Sequence, residues 1–299
     1  MTPDALAWID RFGAHLGGER RLSPHTRDNY LRELAALASW CDTQRIDEWR
    51  KLDAQHLRLF AARSHAGGLA PRSVQRRLSA VRSFMRFLLR EKVVRDNPGL
   101  DVRAPKSKRR LPRTLDADQM GKLLDFPGDD PLAVRDRAFM ELLYSSGLRL
   151  AELCGLALVD LDVGDRTVRV TGKGGKTRIL PVGSRALEAL RAWLAVRATY
   201  APAAGAALFV GREGRPVAPR TIQARVARRA REQGLPMHVH PHLFRHSFAS
   251  HLLESSQDLR GVQELLGHAD IATTQVYTHL DFQHLARIYD LSHPRARKK

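Results

Sequence analysis

Cysteine and lysine are both scarce in this chain of 299 residues, which has two cysteines and nine lysines. Cys41 and Cys154 stand 113 positions apart, so they form neither a disulfide framework nor a metal knuckle, and a reducing, cytoplasmic setting is expected. No apolar run approaches the length needed to cross a bilayer, which excludes membrane insertion by a helix. The first residues, "MTPDALAWIDRFGAHL", carry Asp4 and Asp10 in an amphipathic pattern and lack the basic start and long apolar stretch of a secretory leader, so export is not expected. The stretch "GKGGKT" comes close to a phosphate-binding loop, but the required first glycine falls on Val170 and no strand-to-long-helix context follows. Five histidines crowd "HVHPHLFRHSFASHLLES" (His238, His240, His242, His246 and His251) without a cysteine partner or the H-E-x-x-H order of a zinc hydrolase. Neither a nucleotide cofactor nor a metal is therefore expected.

What is abundant is arginine. Fifty basic residues against thirty-two acidic ones give a net charge of +18. Up to residue 110 there are 23 basic and 12 acidic residues, and beyond it 27 and 20, so both halves are basic. A polyanion contacted along much of the molecule fits this better than one basic tail would, and nucleic acid is the expected partner.

The helical period is clear before residue 94. "SPHTRDNYLRELAALASWC" offers Ser23 as an N-cap, Pro24 at the first helical position, and Leu31, Leu34, Leu37, Ala38 and Cys41 on one face. "APRSVQRRLSAVRSFMRFLLREK" pairs an apolar stripe of Val74, Leu78, Val81, Met85 and Leu88 with another face of Arg72, Arg76, Ser79, Ser83, Arg86 and Arg90. Acids are missing from this second face until Glu91, so we read Arg72, Arg76, Arg86 and Arg90 as candidate DNA contacts. The stretch "DNPGLDVRAPKSKRRLPR" holds three prolines and a cationic run with no apolar period, the mark of a linker, and Lys106 and Lys108 are placed there to follow backbone phosphates.

After it, "TLDADQMGKLLDF" starts a helix capped by Thr114 or Asp116. A long helix follows, with a turn at Gly147, a short helix, and "RTVRVTG" and "KTRILPV" alternating around a tight turn as a β-hairpin. The remainder reads as helix up to a basic ending. The expected organisation is a helical DNA-binding domain over 1–93, a basic linker over 94–112, a mixed domain over 113–291, and a basic tail over 292–299. The fold class is mainly α with a small antiparallel β-sheet.

Six polar residues, each ordinary alone, follow in an informative order: Arg149 in "GLRLAEL", Lys173 in "GKGGK", His242 and Arg245 in "HLFRHSFAS", His268 in "LLGH", and Tyr277 in "YTH". In residue type, local wording and spacing this set resembles the catalytic set of the tyrosine recombinases, the phage integrase family. The likeness covers nearly the whole chain and is strongest to the bacterial Xer recombinases. The ending "HLDFQHLARIYD" resembles the XerC group more than the XerD group.

The resemblance implies an all-α core-binding domain and a mixed α/β catalytic domain closing as a C-shaped clamp on duplex DNA. It implies Tyr277 as nucleophile, giving a 3′-phosphotyrosyl link. Arg149 and Arg245 would grip the non-bridging oxygens, for which a planar fork suits phosphate better than an ammonium. His242 would assist proton transfer and His268 would bond the phosphate. Lys173 would protonate the leaving 5′-oxygen; Lys176 is its local rival, and the likeness favours Lys173. Tyr30, Tyr144, Tyr200 and Tyr289 lack such a neighbourhood and are read as packing residues. The implied partners are a XerD-like recombinase in a heterotetramer on a dif-like site, with an FtsK-like translocase as regulator, in chromosome-dimer resolution at cell division. The segment beyond Tyr277 is expected to dock on a neighbouring protomer, or else on its own domain. The alternatives are a phage- or integron-type integrase or type IB topoisomerase with the same chemistry, or a DNA-binding regulator on the same fold.

Overall fold

A computed structural model describes residues 1–20, 24–106, 114–172, 175–200, 205–258, 261–262, 265 and 293–295. The chain divides into two compact units, Met1–Leu111 and Pro112–Lys299.

The first unit is helical: α1 (Pro3–Gly17), α2 (Pro24–Thr43), α3 (Ala54–Ala66) and α4 (Pro71–Arg90). Proline opens α1, α2 and α4, where its missing N–H is no loss. The Thr2 hydroxyl caps α1 by accepting from the Ala5 amide, and Asp53 and His56 close a reciprocal cap on α3. The stripe expected on α4 is buried, and Phe84 joins it, edge-on to Phe12 at 5.4 Å and to Trp49 at 5.0 Å. The Trp49 indole donates to the Ala5 carbonyl at 2.6 Å, so the largest core side chain leaves no orphan donor.

Two expectations for this unit change. Ser83, placed with the arginine face, is buried and accepts from Arg20 at 3.3 Å, because at its position the helix has already turned inward. The linker expected over 94–112 divides. Val94 and Val102 are buried with the helical core, and Arg82 donates to the carbonyls of Gly99 (2.8 Å) and Val102 (2.7 Å). Residues 107–113, with Lys108, lie outside the described residues, as does the Ser23 cap.

The second unit contains α5 (Ala117–Leu124), α6 (Pro131–Ser145), α7 (Leu150–Cys154), β1 (Leu161–Asp162), β2 (Thr167–Thr171), β3 (Thr177–Pro181), α8 (Ser184–Arg197), α9 (Pro219–Glu232) and α10 (Pro241–Ser256). Asp116 caps α5 and Asp130 caps α6. Helix α6 is apolar around most of its circumference and buried from Ala138 to Ser145, as a central helix must be. It packs against α5, α7, α8, α9 and α10. Its buried Asp136 is answered by Arg135 at 2.8 Å and by Arg225 and Arg229 from α9.

The expected hairpin is β2–β3, and β1 adds a third strand in the antiparallel order β1-β2-β3. Val168 lies opposite Leu180 and Val170 opposite Arg178, all on the inward face, while Arg169 and Ile179 look outward. Hydroxyls at the end of α6 fasten the sheet: Ser146 donates to the Pro181 carbonyl and Ser145 accepts from the Gly183 amide, both at 2.8 Å.

The basic tail expected over 292–299 is partly internal. His293 is buried, with its ring centre 4.7 Å from Tyr144 and 5.5 Å from Phe248. Arg295 reaches the buried Glu141 of α6 through Nε at 3.0 Å and through a second contact, and reaches Asp125 at 3.0 Å. A buried carboxylate draws in the nearest cation, and here that cation comes from the far end of the chain. Among the described residues no helix is long and apolar enough to cross a membrane.

Candidate active site

The turn between α6 and α7 builds the centre. Gly147 adopts φ +58°, and a Cβ there would lie 2.5 Å from Cδ1 of Phe248, so both backbone and space demand glycine. That lets α10 pack directly over the turn. Arg245, one turn before Phe248, then donates from Nη1 to the Gly147 carbonyl at 2.7 Å.

Two residues after Gly147, Arg149 stands at the N-cap of α7. Its amide donates to Oε2 of Glu152 and its Nη1 to Oε1, each at 2.9 Å. The Arg149 side chain is 41% exposed, while Glu152 beneath it is buried. Arg178, on β3, donates to the same carboxylate through both terminal nitrogens, at 2.9 Å and 3.0 Å. Burial pushes the Glu152 carboxyl up, but the hydrogen bonds from Arg178 and the Arg149 amide outweigh it and hold the group below the usual carboxylate range.

Arg245 is 8% exposed. Burial first, and then the neighbouring charges of Arg149 and Arg178, bring its guanidinium down to about 10, so it remains cationic at neutral pH in a dry and strongly positive setting. His242 is exposed one turn before Arg245 on α10. His240 precedes the helix with its ring centre 6.1 Å from those of both His238 and His242; burial, then the charges of the neighbouring histidines, lower its basicity.

The structure thus places Arg149 and Arg245 in one cationic cluster, with His242 one helical turn from Arg245. Lys173, His268 and Tyr277 lie outside the described residues. Glu152 and Arg178 were not singled out from the sequence. The only local signal for Glu152 was its i+3 spacing from Arg149 within "RLAE", and Arg178 read as one more residue of an alternating strand.

On the helical unit Arg72 and Arg86 are exposed on α4, and Lys106 is exposed beyond it. Arg76 sits 3.6 Å from Glu33. Arg90 is engaged by Glu19 at 2.7 Å and Glu91 at 2.8 Å. Tyr144 is buried with its hydroxyl 2.8 Å from His251, and Tyr30 and Tyr200 are half-buried against the two cores, as packing residues should be; Tyr289 lies outside the described residues.

Comparison with known proteins agrees with this geometry. Residues 113–284 match the phage integrase family, and residues 9–92 match its N-terminal SAM-like domain. Tyrosine recombinase XerC of Azotobacter vinelandii is 58% identical over 97% of each chain, and that of Pseudomonas syringae pv. tomato is 54% identical over the same shares. Among solved structures, a lambda integrase dimer bound to a COC′ core site superposes with a TM-score of 0.70 at 21% identity, covering 93% of this chain and 100% of that one. XerH bound to its difH substrate gives 0.69 at 23% identity, over 93% and 82%. This chain belongs to the phage integrase family, the tyrosine recombinases, enzymes that break and rejoin DNA.

Proposed function

We propose that the chain is a XerC-type site-specific recombinase, acting with a XerD-like partner in a heterotetramer on a dif-like site to resolve chromosome dimers at cell division. A DNA translocase of the FtsK kind is its proposed regulator and the cytoplasm its proposed location. The observation that carries the reading is the cationic cluster at the α6–α7 turn. Arg149 is held on Glu152 with much of its guanidinium still open, and Arg245 is held on Gly147. The 58% identity to a XerC protein over 97% of both chains supports the finer assignment.

In this reading the Tyr277 oxygen bonds to phosphorus as the bond from phosphorus to the 5′-oxygen breaks. Arg149 and Arg245 stabilise the extra negative charge of the pentacoordinate state, with His268 as a further donor. His242 assists removal of the phenol proton, and Lys173 gives a proton to the departing 5′-oxygen. The 3′-phosphotyrosyl link conserves the energy of the broken diester, so a second 5′-hydroxyl reseals it without ATP. On the helical unit Arg72, Arg76, Arg86 and Arg90, with Lys106 and Lys108 beyond, are proposed to follow the duplex.

The test is a nicked duplex target incubated in EDTA. Wild type is expected to leave a denaturation-resistant protein–DNA adduct, and Tyr277→Phe none. Absence of the adduct from wild type, or its persistence in Tyr277→Phe, overturns the catalytic assignment. Complete strand exchange by this chain alone, without a XerD-like protein, overturns the partnership.

A further inference from the structure

Arg178 donates from every nitrogen of its guanidinium. The two terminal nitrogens form a fork onto both oxygens of Glu152, at 2.9 Å and 3.0 Å, and Nε donates to the carbonyl of Leu265 at 3.3 Å. Its side chain is 9% exposed, and that of Glu152 is 3% exposed. No surface role is open to such a residue. Its two partners and one close neighbour lead in three directions. Glu152 holds Arg149 by amide and guanidinium. Leu265 is anchored in the core three residues before His268. Gly172, the residue before Lys173, lies over the pair: a Cβ there would be 3.6 Å from Nη1 of Arg178 and 3.8 Å from Oε1 of Glu152.

We propose that Arg178 is a positioning residue for strand cleavage, holding Glu152 so that Arg149 keeps its fork open for phosphate. The proposal rests on the catalytic reading above. Glu152 is a buried carboxylate shared by two arginines. While Arg178 occupies both of its oxygens, Arg149 is held by one side-chain contact and keeps the rest of its fork for phosphate. Without Arg178, the uncompensated carboxylate draws Arg149 down onto itself. A lysine in place of Arg178 keeps the charge but has no fork to span two oxygens and a carbonyl.

The test compares wild type, Arg178→Lys, Arg178→Met, Glu152→Gln and the double variant Arg178→Met/Glu152→Gln on the nicked duplex. Single-turnover adduct formation, equilibrium binding to the same DNA and thermal unfolding are measured for each. Arg178→Met is expected to slow adduct formation by about 100-fold, the scale of a misplacement near 1 Å, with DNA affinity within roughly threefold of wild type. Arg178→Lys falls between. Adding Glu152→Gln to Arg178→Met is expected to restore cleavage to the level of Glu152→Gln alone, because a neutral amide no longer draws Arg149 away.

Cleavage by Arg178→Met at the wild-type rate overturns the proposal. So does a loss that affects binding and cleavage equally, a loss the double variant does not relieve, or failure of both Arg178 variants to fold, each of which marks a purely structural residue. Failure of wild type itself to form an adduct overturns the catalytic reading instead, and the positioning role falls with it.

Discussion

Arg245 and Gly147 are joined by a hydrogen bond of 2.7 Å across 98 positions of sequence, and it is the glycine that makes the approach possible. The two residues bring α10 and the α6–α7 turn together, and with them the two arginines assigned to phosphate.

Gly147→Ala should therefore damage both fold and chemistry. The added methyl meets the Phe248 ring at 2.5 Å, on a backbone at φ +58° that alanine disfavours. A destabilisation of about 2–4 kcal/mol is expected from overpacking and backbone strain together. Denaturant unfolding measures that figure, and adduct formation on the nicked duplex should fall with it. A variant as stable and as active as wild type would show that the turn does not need glycine.

Acid should act through His293. Burial first, and then the charges of His251 and Arg295, hold its imidazole down at about 3, so the folded protein keeps it neutral while the unfolded chain protonates it near the ordinary value of 6.5. A base whose folded value is depressed contributes stability that is complete above the unfolded value and is lost as pH falls toward the folded one. Tyr144, Phe248 and His251 surround it, and Arg295, two residues on, is bound to Glu141. Between pH 6.5 and pH 4, wild type should lose stability relative to His293→Phe by about 1.4 kcal/mol per pH unit. Parallel pH profiles of the two proteins would contradict this.

On the helical unit, Arg72 and Arg86 differ from Arg90 in their company. Arg90 is held by Glu19 and Glu91, whereas Arg72 and Arg86 have no ion pair with a described residue. Replacing Arg72 or Arg86 by alanine should weaken DNA binding and reduce the slope of log affinity against log salt by about 0.9 for each phosphate no longer neutralised. Arg90→Ala should reduce the slope by less, because Glu19 and Glu91 already offset part of its charge. Fluorescence anisotropy across a salt series distinguishes them, and equal slopes for all three variants would refute the difference.

What could be read in the sequence was what is local. The α4 stripe, the Pro24 start, a cap at Thr114 or Asp116, the turn at Gly147 and the β2–β3 alternation each occupy a single stretch, where periodicity and turn chemistry speak directly. The family was legible because six residues of four types follow one another in a recognisable order. Glu152, Arg178, Glu141 and Arg295 were not legible. Each is a charged residue whose partner lies far along the chain, 26 positions away for Arg178 and 154 for Arg295, and an isolated charge in a helix or tail reads as solvent-facing until the fold buries it. Ser83 failed for the same reason at shorter range, since a polar residue at the margin of a stripe takes its side from its neighbours.

The seating of His293 and Arg295 makes a short stretch after α10 part of the packing of α6. Arg295 is the cation hydrogen-bonded to the buried Glu141, and His293 is packed against Tyr144 and Phe248. Removing these two residues would leave a carboxylate buried without its cation in the central helix, so a change 154 positions away would be felt in the stability of the whole unit.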